Sequence, residues 1–273
     1  PIDPTTVQQQ PDIPQSLDDW IAPDCHGMNF FSADRSLRSL LHIYMDDRLR
    51  AHMTPHYEAL GEIAGNRLDN LARLADRHEP VLHTRSHRGL DEDWIEFHPA
   101  YREMEAIGFG EFGIHCMGHR PNMFRWPGKI PPIAKYVFQY LFSQSEFGLM
   151  CPISVTDTSA MLIARYGDDE TRRRFLPGML TRDMNRILKS AQFMTEKTGG
   201  SDVGNIQLEA RREDGVWRLY GEKWFCSCAD GDVALLLARP EEGGGGALRV
   251  AREDGEDGAD GDVDVGVGRA VER

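Results

Sequence analysis

Residues Gln192 to Val203 read QFMTEKTGGSDV, and this stretch decides the fold. A mainly apolar run that begins at Ile187 leads into it, and a second run with strand-like alternation begins at Ile206. The glycine pair between the runs allows a tight turn and a close approach of the backbone to a ligand. Hydroxyl and amide N–H groups at Thr195 and Ser201 suit an anionic or strongly polar ligand. From composition alone, an ordinary polar hairpin turn is the simpler interpretation.

Two further segments change that interpretation. Upstream, residues 166–178 read YGDDETRRRFLPG, and downstream, residues 221–227 read GEKWFCS. In this order and spacing, the three segments resemble the acyl-CoA dehydrogenase family of flavoproteins, whose members carry YG…K..yLpgl, TEp.aGSD and G.K.WitN segments. The resemblance covers roughly residues 30 to 245.

Three details resemble the AidB-type branch of that family, which is tied to the bacterial response to DNA alkylation. They are the form KTGG at 197–200, the form WFCS at 224–227, and EFGLMCP at 146–152 within a long N-terminal region. The resemblance therefore implies an AidB-like chain.

Hydrophobic spacing predicts helices in the first part of the chain. Apolar residues from Leu37 to Met45 recur three and four positions apart, with Ser32 or Asp34 as the N-cap. A second helix is predicted from about Thr54 to Arg77, with Pro55 in its first turn. Residues without a clear period at 81–97 are predicted to be loop with short extended pieces. Further helices are predicted at 99–107 (stopped by Gly108), 131–147, 151–166 and 169–176.

After Asn185 the pattern changes to the alternation that strands show. Apolar residues at 206, 208 and 210 alternate with polar ones, Asp214-Gly215 predicts a tight turn, and residues 216–224 return as the partner strand. Residues 232–239 predict a buried strand. We therefore predict an α+β fold in which an N-terminal all-α domain precedes an incomplete antiparallel β domain. The resemblance implies an acyl-CoA dehydrogenase-like fold whose C-terminal helical bundle is missing.

The chain is predicted to divide into four parts. The last part is rich in Gly, Asp and Glu, contains no aromatic residue, and is expected to be disordered. A reading frame shifted after about Leu248, or a truncated gene, would produce this composition. The parts are an extended leader (1–25), an N-terminal α-helical domain (26–185), a partial β-barrel middle domain with the FAD-binding loop (186–248) and a low-complexity acidic tail (249–273).

The composition of the 273-residue chain limits its partners. A net charge of −13 disfavours nucleic acid as a direct partner. No apolar run is long enough to span a membrane, and residues 1–14 resemble neither a signal peptide nor a transit peptide. Five scattered cysteines indicate a reducing compartment rather than a disulfide framework. We therefore predict a cytoplasmic protein with no membrane partner.

The histidines do not form a convincing metal site. Three pairs stand four positions apart, but none has the intervening Glu of a zinc-binding His-Glu-x-x-His motif, and no third ligand is evident. Cys226 and Cys228 have no second cysteine pair. We predict no metal and treat the pairs as chance occurrences. The pairs are His52/His56, His83/His87 and His115/His119.

The sequence has neither a Gly-x-Gly-x-x-Gly motif nor a Walker loop, so a dinucleotide would have to be held another way. The resemblance implies that the dinucleotide is FAD, bound along the β domain. By position, Met194 and Thr195 would contact the pyrimidine side of the isoalloxazine, where Thr195 would stabilise negative charge on the reduced ring. Gly200 and Ser201 would contact the pyrophosphate. Gln192, two residues before Met194, belongs to the same set of cofactor-binding residues.

The segment around Trp224 would supply the rest of this cofactor site. A core aromatic in a strand is the plain interpretation of Trp224, but the motif implies that it covers one face of the flavin ring. Phe225, Cys226 and Ser227 would lie along the N5 edge. Most of the family has Thr where Cys226 stands, so the hydroxyl bond to N5 is in question, and Ser227 is the substitute.

The family's reaction defines the expected activity. A carboxylate takes a proton from the acyl α-carbon while the β-hydrogen leaves as hydride to flavin N5. That carboxylate comes from the helical domain that follows the β domain, so we assign no catalytic residue. The four acidic residues considered do not match the motif. They are Glu103, Glu105, Glu146 and Glu196.

The leading hypothesis is an FAD-dependent acyl-CoA dehydrogenase, with an acyl-CoA as substrate and a homo-oligomer in the full-length form. This chain alone is expected to bind FAD weakly or not at all and to be inactive. The alternative is a DNA-associated flavoprotein of the alkylation response with vestigial dehydrogenase activity, which contacts DNA through the missing C-terminal region. A third possibility is a non-functional truncated product.

Overall fold

The computed structural model describes residues 24–214, 216–240, 247–251 and 266–267 of the chain. Residues 1–23 of the predicted leader and most of the predicted acidic tail lie outside the described residues. The frameshift interpretation concerns that tail and therefore also lies outside them. Within the described part, no helix combines the length and the apolar content needed to cross a bilayer.

Helices form the first half of the described chain, and aspartate side chains cap several of them. Asp34, Asp46 and Asp168 each accept a hydrogen bond from the backbone N–H three positions further on, which satisfies one free donor of the first turn. The helices are α1 (Phe30–Ala33), α2 (Arg35–Tyr44), α3 (Asp47–Ile63), α4 (Asp69–Ala75), α5 (Pro99–Glu105), α6 (Pro132–Ser143), α7 (Met150–Tyr166) and α8 (Asp169–Met179).

Helix α3 begins earlier than predicted. Asp46 caps it, and Pro55 lies in its interior rather than in its first turn. Proline lacks the N–H that a helix interior uses, so α3 continues through this position without the hydrogen bond that residue 55 would otherwise donate. A π-helical turn, Ala64–Leu68, joins α3 to α4. The prediction gave too much weight to proline as a start signal and too little to the Asp46 cap.

Gly108 does not stop the helix that begins at Pro99. A π-helical turn, Ala106–Glu111, continues α5 through this glycine. A Cβ at Gly108 would lie 2.5 Å from Ile153 Cδ1, so the missing side chain provides room for α7. This glycine therefore serves packing rather than termination.

Residues 81–97, predicted as loop with short extended pieces, contain an antiparallel hairpin of β1 (Val81–Arg85) and β2 (Asp91–Glu96). Across it, the His83 ring stacks on Trp94 with centroids 4.1 Å apart, and His83 Nε2 lies 2.7 Å from Glu96 Oε2. Such cross-strand pairs stabilise a hairpin without producing a sequence period. The N-terminal domain is therefore largely, but not entirely, helical.

A mixed sheet follows the helices. Its strands are β3 (Ser190–Phe193), β4 (Glu209–Glu213), β5 (Val216–Tyr220), β6 (Val233–Pro240), β7 (Ala247–Ala251) and β8 (Gly266–Val267). The predicted β4–β5 hairpin is antiparallel, whereas β6 runs parallel to both β3 and β4. The expectation of a purely antiparallel domain is corrected here, because the long connection between β3 and β6 allows both strands to run in one direction.

Among the described residues, one large hydrophobic core lies within the helical half and another joins the two halves. In the helical half, the fully buried Tyr57 donates its hydroxyl to Ala134 O of α6 at 3.2 Å. A second core joins α7 and α8 to the sheet, and full burial of each large apolar side chain contributes roughly 1.5–3 kcal/mol. Its members are Ala160, Ile163, Phe175, Met179, Val233 and Leu235. This packing places the face of α7 beside β3.

Candidate functional site

The glycine loop, residues 194–203, leaves the end of β3 and turns tightly. Glu196 and Gly199 exchange backbone hydrogen bonds of 3.1 and 3.0 Å, which close the turn. Gly199 has a φ of +154°, in the region that favours glycine. A Cβ at Gly200 would lie 3.3 Å from both Thr195 Cγ2 and Thr195 Oγ1. The loop therefore depends on its glycines and leaves Ser201 exposed beside them.

The tryptophan segment, residues 223–230, lies against this loop. The backbone N–H of Trp224 donates a 2.9 Å hydrogen bond to the backbone carbonyl oxygen of Thr195. Nevertheless Trp224 is 53% exposed and Phe225 is 81% exposed, although both are large aromatic residues. Phe225 and Cys228 have φ values of 61° and 58°, which are unfavourable for residues with a side chain. Strain and exposed aromatic area together are typical of a ligand-binding surface.

Gln192 contacts α7 rather than the glycine loop. Its Nε2 donates to Thr158 Oγ1 at 2.8 Å and to Ser159 Oγ at 3.1 Å. One turn earlier, Thr156 Oγ1 accepts a 2.9 Å hydrogen bond from the Ser190 N–H. These bonds fix β3 to the helix.

The remaining predicted site residues lie close to these contacts. Met194 is half-buried and its carbonyl accepts a 3.3 Å hydrogen bond from Lys223 Nζ. Cys226 is half-buried, and burial raises the pKa of its thiol, so the sulfur stays protonated at neutral pH. Ser227 is exposed, and its N–H donates to Phe225 O at 3.2 Å. Direct contacts thus join Thr195 to Gly200 and Trp224, whereas Gln192 faces α7.

Sequence reasoning missed the buried pair of Glu196 and Lys223. Their side chains are 3% and 6% exposed, and Lys223 Nζ lies 2.7 Å from Glu196 Oε1. Glu196 also accepts hydrogen bonds from the N–H groups of Gln207 at 2.5 Å and Leu208 at 3.1 Å. Burial raises the pKa of Glu196, but the Lys223 bond and these backbone donors outweigh it and hold the pKa below its usual value. The detectable signal was an acid and a base in adjoining motifs.

A second buried charge cluster lies at the other end of β3. Lys189 Nζ lies 2.5 Å from Asp230 Oδ2 and 2.8 Å from Glu105 Oε1. Arg102 Nη1 lies 2.7 Å from Glu105 Oε2 and 3.3 Å from Asp230 Oδ2. Burial lowers the pKa of Lys189, but the two carboxylates outweigh it and raise the pKa above its usual value. The cluster lines an open cleft of about 880 Å³ that the β1–β2 hairpin also borders.

The acidic residues considered as bases all have partners inside the protein. Glu103 Oε1 accepts from Arg67 Nε at 2.8 Å, and Glu146 Oε1 accepts from the Leu149 N–H at 2.9 Å. Glu105 and Glu196 belong to the two buried clusters. Because each of the four carboxylates already has a partner, we assign none of them as a catalytic base.

The histidine pairs also have local partners. Only His52 and His56 share a helix, and their rings pack against Trp126 and Phe124. His119 Nε2 lies 2.8 Å from Asp157 Oδ1. In the described ranges, no three His, Cys, Asp or Glu side chains are grouped closely enough to hold a metal ion.

Two family matches cover most of the chain. Residues 21–186 match the adaptive response protein AidB N-terminal domain, and residues 191–259 match the acyl-CoA dehydrogenase middle domain. The two matches follow one another without overlap, in the order that the motifs predict.

Two curated relatives are longer than this chain. Acyl-CoA dehydrogenase family member 11 of Caenorhabditis elegans is 30% identical over 224 residues, which are 80% of this chain and 35% of that protein. The putative acyl-CoA dehydrogenase AidB of Escherichia coli K12 is 33% identical over 183 residues, 63% of this chain and 33% of that protein. The chain therefore spans about a third of the length of these relatives.

Solved structures share the fold. Bd2924 in its apo form has a TM-score of 0.75 at 27% identity, covering 84% of this chain and 46% of that one. Caenorhabditis elegans ACDH-11 in complex with C11-CoA has a TM-score of 0.73 at 26% identity, covering 85% and 40%. The FAD complex of PigA has a TM-score of 0.54 at 19% identity, covering 77% and 49%, and is similar in fold alone. The predicted fold class is confirmed.

Proposed function

This chain belongs to the acyl-CoA dehydrogenase family, in the branch with the AidB-type N-terminal domain, and we propose that it forms one wall of an FAD site for acyl-CoA dehydrogenation. Bound FAD would supply a hydride acceptor, N5, for the β-hydrogen of the acyl chain. An acyl-CoA thioester is the substrate class that the C11-CoA complex of ACDH-11 supports. FAD is the cofactor that family membership and the fold shared with the FAD-bound PigA support.

The observation that carries this proposal is the hydrogen bond from the Trp224 N–H to Thr195 O. It holds a half-exposed indole beside a glycine loop whose backbone and Ser201 hydroxyl are open to solvent. A flat apolar ring beside polar N–H and O–H donors fits a cofactor that joins an aromatic ring to a pyrophosphate.

The residues of the loop divide the binding between them. Met194 and Thr195 would line the pyrimidine side of the ring, where the Thr195 hydroxyl or N–H would stabilise negative charge. Gly200 and Ser201 would donate to the pyrophosphate, since the loop has no side chain at 200 to block its approach. Gln192 holds β3 against α7 and thereby orients the strand that carries these residues.

The tryptophan segment covers the other side of the ring. Trp224 would pack on its face, and Phe225 would lie along the N5 edge. A thiol is a weak hydrogen-bond donor, so the Cys226 side chain is a poor donor at this edge and the Ser227 hydroxyl would donate there instead. We propose no proton-accepting carboxylate from the residues of this chain.

The DNA-associated alternative remains a prediction. The AidB-type N-terminal match keeps it open, while the net charge of −13 disfavours direct contact between this chain and DNA. A homo-oligomer of the full-length protein and a cytoplasmic location likewise remain predictions.

Equilibrium dialysis of the chain against FAD and riboflavin tests the proposed site. We expect weak FAD binding that Trp224→Ala abolishes, and that Ser201→Ala weakens for FAD but not for riboflavin. Phe147→Ala is the control, because Phe147 is an aromatic residue in the helical half that is still more exposed than Trp224, at 79% against 53%. FAD binding that Trp224→Ala leaves as tight as in the unmodified chain would contradict the proposal.

A further inference from the structure

The two ends of β3 carry buried charges of opposite sign. Lys189 precedes the strand and Glu196 follows it, seven positions apart. The tryptophan segment begins at Lys223 and ends at Asp230, also seven positions apart. Each strand-end charge pairs with the opposite charge of the segment, so the two stretches are joined end to end in antiparallel order.

The contact at the Lys189 end includes three anchors. Lys189 Nζ lies 2.5 Å from Asp230 Oδ2, and the Lys189 N–H donates to Asp232 Oδ2 at 2.8 Å. Arg102 of α5 also reaches Asp230, at 3.3 Å. The end of the tryptophan segment is thus fixed to both the sheet and the helical half.

The contact at the Glu196 end is more deeply buried, with side chains 6% and 3% exposed against 10% and 17% for Lys189 and Asp230. Lys223 Nζ bonds to Glu196 Oε1 at 2.7 Å and to Met194 O at 3.3 Å. Glu196 is itself held by the N–H groups of Gln207 and Leu208. Between the two ends, the backbone bond from Trp224 to Thr195 joins the stretches within the described part of the chain.

We propose that these two ion pairs form a clamp that positions the tryptophan segment along β3 and presents its middle to the ligand. This inference rests on the proposed function for the identity of the ligand, FAD. Lys189, Glu196, Lys223 and Asp230 are positioning residues, since each acts through the segment and not on the cofactor.

The strained backbone of the segment supports this role. Phe225 and Cys228 hold left-handed φ values, and such strain persists only where the surroundings over-determine the conformation. Both residues lie between the clamped ends. The polarity also fixes direction, because a reversed segment would place Lys223 beside Lys189 and Asp230 beside Glu196, where like charges repel.

Nuclear magnetic resonance on the unmodified chain gives the first test. Backbone order parameters at residues 223–230 should match those of β3, near about 0.85, despite the exposure of this segment. The turn of the β1–β2 hairpin, residues 86–90, provides the exposed-loop reference in the same molecule. Order parameters in the segment as low as in a flexible loop, below about 0.6, would overturn the clamp without any variant.

Amide exchange in two variants gives the second test. Asp230 lies six positions from Trp224. Nevertheless, Asp230→Ala should accelerate exchange of the Trp224 amide by about tenfold or more. Glu222→Gln is the control, because Glu222 adjoins the segment but pairs with Lys197 at the surface, and it should change nothing. Asp230→Asn should act in the same direction and serves if Asp230→Ala does not fold. The proposal is overturned if the exchange rate of the Trp224 amide is unchanged, or if exchange of the β6 core amides accelerates equally.

FAD dialysis separates this proposal from the function on which it rests. Suppose that Asp230→Ala accelerates exchange of the Trp224 amide while Trp224→Ala leaves FAD binding unchanged. The clamp is then supported and the flavin site is contradicted. If FAD binding depends on Trp224 while Asp230→Ala alters neither exchange nor binding, the flavin site stands and the clamp fails.

Discussion

At the scale of single residues, Glu196 keeps its charge in a buried position because every oxygen has a partner. Two backbone N–H groups and Lys223 surround the carboxylate, so removal of the lysine leaves an uncompensated buried charge. The surface pair of Lys197 and Glu222, one residue away on each side, shows the contrast, with side chains 60% and 66% exposed. Burial of the side chains, rather than the distance between the charged atoms, determines how much each ion pair contributes to the stability of the fold.

Lys223→Met should therefore lower the free energy of unfolding by about 3–5 kcal/mol, the cost of breaking a buried ion pair. Lys197→Met, the matched control, should cost at most about 1 kcal/mol because water screens its pair. Urea denaturation of both variants measures the difference. Equal losses in the two variants would show that the Lys223 pair is no more than a surface contact.

His115 provides a residue-scale prediction about pH. Its Nε2 lies 3.0 Å from Thr181 O, its Nδ1 is buried without a hydrogen-bond partner among the described residues, and burial lowers its pKa to about 4. The unfolded chain takes up this proton near pH 6.5, whereas the folded chain stays neutral. Between about pH 6.5 and pH 4 the unfolded state binds more protons, so stability falls as the pH falls.

Replacing His115 by Gln should remove that part of the pH dependence while keeping a donor for Thr181 O. From pH 7 to pH 5, the unmodified chain should lose about 2 kcal/mol more unfolding free energy than the variant. Urea titrations at the two pH values test this. Identical losses would mean that His115 is protonated, or exposed, in the folded chain.

At the scale of elements, the π-helical turn between α3 and α4 depends on a glycine. A Cβ at Gly65 would lie 1.7 Å from Met28 O, a backbone atom that cannot rotate away. The Gly27 N–H donates to Gly65 O at 2.8 Å, so this close approach also carries a hydrogen bond. The turn and the segment before α1 therefore have to fold together.

Gly65→Ala should cost about 3 kcal/mol or more, because relief of the clash requires a shift of backbone. Gly118→Ala is the control, since no atom lies within 4 Å of the added Cβ. Thermal unfolding of both variants measures the effect. A Gly65→Ala protein as stable as Gly118→Ala would show that residues 27–28 are not packed against the turn.

At the scale of the whole molecule, the net charge of −13 opposes the DNA-associated alternative for this chain. Phosphate contacts need clustered cations, whereas the arginines near the site, such as Arg102, are paired with carboxylates. We expect no retardation of a DNA duplex by the chain at about 0.15 M salt. Retardation that weakens steeply with added salt would favour the alternative.

The site was predictable to the extent that its signals are local. Glycines at 199 and 200, polar groups at Thr195 and Ser201, and an aromatic one hairpin later are visible in the sequence, and the structure places Thr195 beside Gly200 and joins it to Trp224 by a backbone hydrogen bond. Whether these residues bind FAD stays a prediction. The inward turn of Gln192 toward α7 was not predictable, because a strand side chain has no sequence signal for its helix partner.

By itself, the sequence determined the order of a mainly helical part before the main sheet, the Asp34 cap of α2, and the glycine turn, since each depends on neighbours within a few positions. The tertiary structure alone decided the parallel pairing of β3 with β6 and the course of α3 past Pro55. It also decided the ion pairs that join Lys189 to Asp230 and Glu196 to Lys223. The physical reason is that a charge left unpaired in the interior is costly, yet its partner can come from any part of the chain that folding brings near.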